Sequence, residues 1–147
     1  WHQDQTYWPL ESDRTITMWL PLAEITEEVG SMYFVSGSHA RGEFGAGPIS
    51  DSSHHKIQEW IEENDSPVKT HGEMAVGDAT FHSGFTLHSA KANPTMKTRP
   101  ILTVIYVADQ TRILDPTPMQ EFDLKLWLGG RQPGDVVDSE INPQLYP

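Results

Sequence analysis

The chain has 147 residues, of which 37% are hydrophobic and 21% charged, a composition typical of about one globular domain. Its net charge of −11 disfavours nucleic acid and anionic membrane surfaces as partners, because both reward clustered lysine and arginine. No apolar run approaches the ~20 residues of a membrane-spanning helix and no secretory leader is visible, so we expect a cytoplasmic protein. Cysteine is absent, which leaves histidine and carboxylate side chains to bind any metal.

Short segments rich in β-branched and aromatic residues predict six strands. The last of them, ILTVIYV, is an almost unbroken apolar run, typical of a strand that is buried on both faces. Gly77-Asp78 and Ser83-Gly84 are turn signals between neighbouring strands. The predicted strands cover residues 15–20, 31–35, 72–76, 79–82, 86–89 and 101–107.

Two helices are predicted among these strands. Residues 53–64 place Ile57, Trp60 and Ile61 at helical spacing, with N-cap candidates at residues 51–53. A weaker pattern covers residues 119–128 and ends at two glycines, whereas residues 43–50 form a loop and residues 131–147 lack periodicity. The pattern predicts one mainly β domain, a sandwich or barrel with helical insertions.

Five of the seven histidines have ordinary structural interpretations. His54 and His55 lie at a helix start and are expected on the solvated surface, and His39 lies in a turn. His71 lies in a loop without an evident partner. His82 is in a strand pattern, where packing or a hydrogen bond to a metal ligand is favoured over ligation itself.

His2 and Asp4 differ from these because residues two apart on an extended segment point to the same face. Both could reach one cation at about 2.0–2.2 Å, and His88 is the candidate third ligand from a facing strand. Two histidines and one carboxylate leave coordination positions open, which suits non-haem Fe(II) and O₂. An H-x-D triplet alone is a weak signal, and an exposed polar pair is the alternative.

Arg99 strengthens the metal hypothesis. It follows His88 and lies directly ahead of the ILTVIYV strand. A planar guanidinium binds a carboxylate through two parallel hydrogen bonds, so Arg99 could anchor the far carboxylate of a metal-bound 2-oxo acid. For Arg99 alone, an exposed salt bridge is the simpler interpretation.

These segments together resemble the phytanoyl-CoA dioxygenase family of Fe(II)- and 2-oxoglutarate-dependent oxygenases. The matching segments occur in order over most of the chain: WHQDQTYWP, TITMWLPL, GSMYFVSGSH, GDATFHSGFTLHSAKANPT and the arginine before ILTVIYVAD. The resemblance implies a double-stranded β-helix, a jelly-roll or cupin-like barrel. It also implies His2, Asp4 and His88 as catalytic iron ligands and Arg99 as the anchor of the 2-oxoglutarate C5 carboxylate.

The implied reaction uses O₂ to hydroxylate a small organic molecule, with release of succinate and CO₂. Asp4 favours a hydroxylase, because the family's halogenating relatives have Ala or Gly at this position. Many relatives have a hydroxyl residue where this chain has Ala90, and Ser89 or Thr103 could substitute for it. Family members are usually about twice as long, so we expect residues 1–147 to be one N-terminally truncated partial domain.

Two rivals differ from this hypothesis. A non-catalytic metal- or ligand-binding β-barrel, such as a sensor or a decayed enzyme, fits the Ala at position 90 and the short length. A cupin-type metal enzyme without a co-substrate would need an H-x-H pair and a following glutamate, which WHQDQTYWP does not contain. The oligomeric state is left open.

Overall fold

A computed structural model describes residues 1–146, in which six strands and three α-helices follow one another as a mainly β structure. Two short 3-10 turns, Asp4–Tyr7 and Ser38–Arg41, complete the regular structure of this part. None of the helices described is long and apolar enough to cross a membrane. The elements are β1 (Thr15–Pro21), α1 (Glu27–Gly30), β2 (Met32–Val35), α2 (Asp51–Glu63), β3 (Val68–Thr70), β4 (Thr80–Ser83), β5 (His88–Ala90), β6 (Ile101–Val107) and α3 (Gln120–Trp127).

The strands form two three-stranded antiparallel sheets. One has the order β4-β1-β6 and the other the order β3-β2-β5. Within residues 1–146 neither sheet closes into a barrel. Alternation along β1 buries Thr15, Thr17 and Trp19, whereas Ile16 and Met18 face away from that side. The buried face of β1 therefore includes two threonines, which is unusual for a purely packing surface.

Three apolar clusters hold the sheets and helices together. The first joins Trp19 of β1 to Met32 of β2, and the second packs helix α2 against Val35 and Leu87. The third joins Leu10 and Ile113 to helix α3. Burial of these side chains supplies the main driving force for folding, at about 25 cal/mol for each Å² of apolar surface removed from water.

Five of the six predicted strands are confirmed to within two residues at each end, and both predicted helices form. Helix α2 begins at Asp51, two residues earlier than predicted, because Ser50 is its N-cap. The Ser50 hydroxyl accepts from the Ser53 amide, and Ser53 bonds back to Ser50. The short helix α1 was not predicted; the Thr26 side chain caps it by accepting from the Val29 amide.

The predicted strand over residues 72–76 is wrong. Gly72 adopts a left-handed φ of 71°, which interrupts an extended chain. Met74 and Val76 pair only through isolated bridges, with Ile25 and Asp78. The strand forms earlier, at Val68–Thr70, where it is exposed along its whole length as an edge of its sheet. A three-residue edge strand that contains lysine has no alternation of apolar and polar residues, so the sequence pattern does not predict it.

The N-terminal segment is attached to the second sheet. The backbone of His2 exchanges two hydrogen bonds of 3.0 Å with the backbone of His88, at the start of β5. The buried Gln3 amide donates to the carbonyl oxygens of Gly42 and Phe85, at 2.9 and 2.6 Å, and accepts from the Phe44 amide at 2.7 Å. Gln3 therefore fixes the backbone between His2 and Asp4.

We predict that Gln3→Glu destabilises the fold. The new carboxylate would face two carbonyl oxygens that now accept from an NH₂ group, and a buried group deprived of its partner costs roughly 1–3 kcal/mol. Chemical denaturation measures the loss, with the exposed Gln144→Glu as the control for added charge. Equal free energies of unfolding for the two variants would contradict the anchoring role of Gln3.

Candidate metal centre

The structure brings His2, Asp4 and His88 together, although His88 lies far from the other two in sequence. Asp4 Oδ1 lies 3.3 Å from His2 Nε2 and 3.4 Å from His88 Nε2. One possible ligand atom from each of the three residues lies within 4.8 Å of the others. Such spacing leaves room for one cation at a first-shell distance of about 2 Å from each atom.

Local backbone geometry aims these side chains at one point. The His2 backbone pairs with that of His88, so the two imidazole rings lie side by side with centroids 4.1 Å apart. Gln3 is extended, and the chain then turns into the 3-10 helix Asp4–Tyr7. The carboxylate of Asp4 thereby returns to the same side of the chain as His2.

The hydrogen bond of His88 fixes which ring nitrogen is free. Its Nδ1 lies 2.9 Å from the Thr86 carbonyl oxygen, which can only accept, so Nδ1 carries the proton. In the neutral ring, Nε2 then has its lone pair available and is directed toward Asp4. This is the orientation that a metal-binding histidine requires.

The charge of Asp4 is stabilised despite its burial. Burial alone would raise the pKa of its carboxyl group, but the surrounding imidazoles of His2, His82 and His88 outweigh burial and hold that pKa far below its ordinary value. For His2, burial lowers the pKa, the Asp4 hydrogen bond opposes this, and the neighbouring His88 lowers it further. The cluster therefore combines an ionised carboxylate with an imidazole that favours its neutral form, which are the states a cation binds.

A cavity of about 240 Å³ opens beside the cluster and has Arg99 in its wall. All four predicted site residues line this cavity, together with Thr17, Trp19, Met32, His82, Ser89, Ala90 and Thr103. The Arg99 guanidinium donates through one nitrogen to the Gly30 carbonyl oxygen at 2.6 Å. A side chain at Gly30 would collide with the guanidinium, so the glycine permits this close approach.

The residues considered as substitutes for a hydroxyl at position 90 differ in orientation. Ala90 lies two positions after His88 on β5, so the two side chains share a face of the strand and Ser89 points to the other face. Thr103 is directly opposite the inward-facing Trp19 in the β1–β6 pair. Thr103 therefore lines the cavity from β6, and Ser89 lines it from β5.

Two residues of the cluster, Thr17 and His82, were not predicted as site residues. Thr17 Oγ1 donates to Asp4 Oδ2 at 2.7 Å, and His82 Nε2 lies 3.2 Å from the same oxygen. The interpretation of His82 as a packed, hydrogen-bonded residue agrees with this contact. For Thr17, the available signal was the alternation of TITMWLP, which places polar threonines on the same face as Trp19.

The histidines outside the cluster do not line the cavity, and His71 forms hydrogen bonds with nearby backbone groups. The expectation that His71 lacks a partner is wrong, since its Nε2 accepts from the Met32 amide and its Nδ1 donates to the Gly72 carbonyl oxygen. Burial lowers the pKa of His71, and the Gly72 hydrogen bond only partly offsets this. His54 and His55 are exposed on helix α2, as expected.

Comparisons with known proteins relate this geometry to a family. The model of the phytanoyl-CoA dioxygenase (PhyH) family matches residues 1–101. A curated protein of Stutzerimonas stutzeri, a probable alpha-ketoglutarate-dependent hypophosphite dioxygenase, is 31% identical over 114 residues. That alignment covers 74% of this chain and 39% of the relative.

Solved structures of non-heme alpha-ketoglutarate-dependent enzymes from nogalamycin biosynthesis are also similar. The carbocyclase SnoK superposes with a TM-score of 0.73 at 26% identity, over 97% of this chain and 54% of that one. The epimerase SnoN was solved with Fe3+, alpha ketoglutarate and nogalamycin RO. It superposes with a TM-score of 0.73 at 26% identity, over 97% of this chain and 55% of that one. The chain thus spans about half or less of the length of these relatives, and it belongs to the phytanoyl-CoA dioxygenase family of alpha-ketoglutarate-dependent oxygenases.

Proposed function

We propose that this protein is an Fe(II)- and 2-oxoglutarate-dependent dioxygenase that hydroxylates a small organic molecule and releases succinate and CO₂. The observation that carries the proposal is the convergence of His2, Asp4 and His88 in one cavity whose wall includes Arg99. Family membership supports the co-substrate, because the relatives' names specify alpha-ketoglutarate.

The donor set fits ferrous iron. Two imidazole nitrogens and one carboxylate oxygen, without thiolate, form the facial arrangement that non-haem Fe(II) oxygenases use. The Thr86 carbonyl oxygen holds the neutral tautomer of His88 that leaves Nε2 unprotonated. In this proposal His2, Asp4 and His88 are the ligands of the iron.

When bound, Fe(II) with 2-oxoglutarate and O₂ supplies oxidative decarboxylation of the co-substrate coupled to hydroxylation of a substrate C–H bond. One oxygen atom enters succinate and the other enters the alcohol, so the products are succinate, CO₂ and the hydroxylated molecule. The chain's own residues place the reactants. Trp19 and Met32 give the cavity an apolar wall, which limits the access of water to the reacting atoms.

Arg99 and Thr103 are proposed to hold the remote carboxylate of 2-oxoglutarate. Only one guanidinium nitrogen is engaged by the Gly30 carbonyl oxygen among the described hydrogen bonds, so other N–H groups remain for a carboxylate. Thr103 is the proposed substitute for the hydroxyl absent at Ala90, since it is opposite the buried Trp19 in the β1–β6 pair and lines the cavity. Ser89 lines the same cavity from β5.

We also propose that the two sheets are the facing layers of a double-stranded β-helix and that the chain is one partial domain. The sheet orders β4-β1-β6 and β3-β2-β5 support this arrangement, because strands consecutive in sequence alternate between the sheets from β1 through β6, except at β2 and β3. The cavity also supports it, because its lining includes residues of β1 and β6 from one sheet and of β5 from the other.

We predict that His88→Ala abolishes both Fe(II) binding and 2-oxoglutarate turnover, because it removes one of three ligands. Anaerobic titration with Fe(II) measures binding, and succinate formation measures turnover. The exposed His55→Ala is the matched control and should retain both. Undiminished binding and turnover in His88→Ala would contradict the assignment. Iron binding by the unsubstituted protein without 2-oxoglutarate consumption on a broad substrate panel would favour a non-catalytic metal-binding protein.

We predict that Arg99→Lys raises the KM for 2-oxoglutarate at least tenfold with a smaller effect on kcat. Lysine keeps the charge but cannot present two parallel donors to a carboxylate. Arg112→Lys is the control, since Arg112 also donates to a glycine carbonyl oxygen, that of Gly134, but lies outside the cavity. Steady-state kinetics with varied 2-oxoglutarate measures the change, and equal KM values for the two variants would exclude Arg99 as the anchor.

A further inference from the structure

The two oxygens of the Asp4 carboxylate have different surroundings. Oδ1 faces the ring nitrogens of His2 and His88. Oδ2 instead has the Thr17 hydroxyl at 2.7 Å and His82 Nε2 at 3.2 Å. One oxygen is therefore directed to the candidate metal position, and the other is occupied by two donors from the protein.

We propose that Thr17 and His82 are positioning residues that hold Oδ2 and so restrict Asp4 to binding the metal through Oδ1 alone. This inference rests on the metal site of the proposed function and assigns it two supporting residues. A carboxylate that binds through both oxygens takes two coordination positions, and one that binds through a single oxygen takes one. The restriction keeps an additional position open for co-substrate or O₂.

The register of the β1–β4 pair places these two donors next to each other. Thr17 of β1 and His82 of β4 are directly opposite each other in the antiparallel pair, so their side chains stand next to each other on one face. Both residues are buried, at 4% and 7% exposure. In such a dry site, a hydrogen bond to a charged oxygen is stronger than one at the protein surface.

The surroundings of His82 agree with its role as a donor. A carboxylate oxygen only accepts, so the contact with Asp4 places the ring proton on Nε2. Nδ1 is buried and has no hydrogen-bond partner among residues 1–146, which a neutral ring protonated on Nε2 tolerates because no N–H is left unpaired. The rings of His88 and Phe34, with centroids 4.4 and 5.4 Å away, hold the imidazole in place.

Threonines on β1 supply a matched pair of variants for the test. Thr15 lies two residues before Thr17 on the same buried face, and its hydroxyl also donates to a side-chain oxygen at 2.7 Å, that of Gln5. We predict that Thr17→Val weakens Co(II) binding about tenfold or more, the usual effect of losing a hydrogen bond to a metal ligand, whereas Thr15→Val binds Co(II) like the unsubstituted protein. Calorimetric titration with Co(II) measures the affinities without any turnover.

A second pair of variants tests His82. His82→Gln keeps an amide donor near the position of Nε2, and His82→Phe keeps an aromatic ring without a donor. We expect His82→Phe to lose about tenfold in Co(II) affinity and His82→Gln to recover most of it. The visible absorption of the bound Co(II) should also change in Thr17→Val and His82→Phe, because a freed Oδ2 alters the coordination number.

The outcomes separate this inference from the proposed function. Equal Co(II) affinities for Thr17→Val and Thr15→Val, or equal losses for His82→Gln and His82→Phe, would overturn the positioning role while the metal site stands. Absence of Co(II) binding by the unsubstituted protein would overturn both. Normal Co(II) binding without 2-oxoglutarate turnover would count against the dioxygenase proposal only, and the four variants would still test the role of Thr17 and His82.

Discussion

The rest of the site depends on the contacts made by the half-buried carboxylate of Asp4, whose side chain is 17% exposed. A charge taken out of water is costly unless hydrogen bonds and opposite charges surround it. Here its two oxygens lie within 3.4 Å of four side chains, His2, Thr17, His82 and His88. These side chains come from the N-terminal segment, β1, β4 and β5. Residues of three strands and of both sheets therefore contact one carboxylate.

This arrangement explains why the site requires both sheets. Thr17 and His82 are neighbours only through the β1–β4 register, and His2 reaches His88 only through the backbone bridge to β5. Gln3, buried between the two candidate ligands, bonds to backbone groups of two loops and holds the segment in place. Packing, register and the geometry of the candidate ligands are thus determined together, as a rigid metal site would require.

The sequence predicted much of this structure but not all of it. The β-branched and aromatic content of TITMWLP and the apolar run ILTVIYV located β1 and β6, and the ordered motifs related His2, Asp4, His88 and Arg99 to a known family. The expectation that ILTVIYV is buried on both faces is wrong, since none of its residues is fully buried and four are exposed. The roles of Thr17 and His82 depend on a strand register between distant segments, which no local pattern contains. The prediction of a strand at residues 72–76 was wrong because their apolar content resembles that of a strand. The left-handed φ of Gly72 interrupts the extended backbone there, and Met74 forms only an isolated bridge.

The central claim is that His2, Asp4 and His88 bind one ferrous ion, and X-ray absorption of the Fe(II)-loaded protein tests it most directly. The account predicts scattering from two imidazole rings and a first shell of nitrogen and oxygen at about 2.0–2.2 Å. An oxygen-only shell without imidazole scattering would contradict it, since the iron would then be bound elsewhere among the many surface carboxylates.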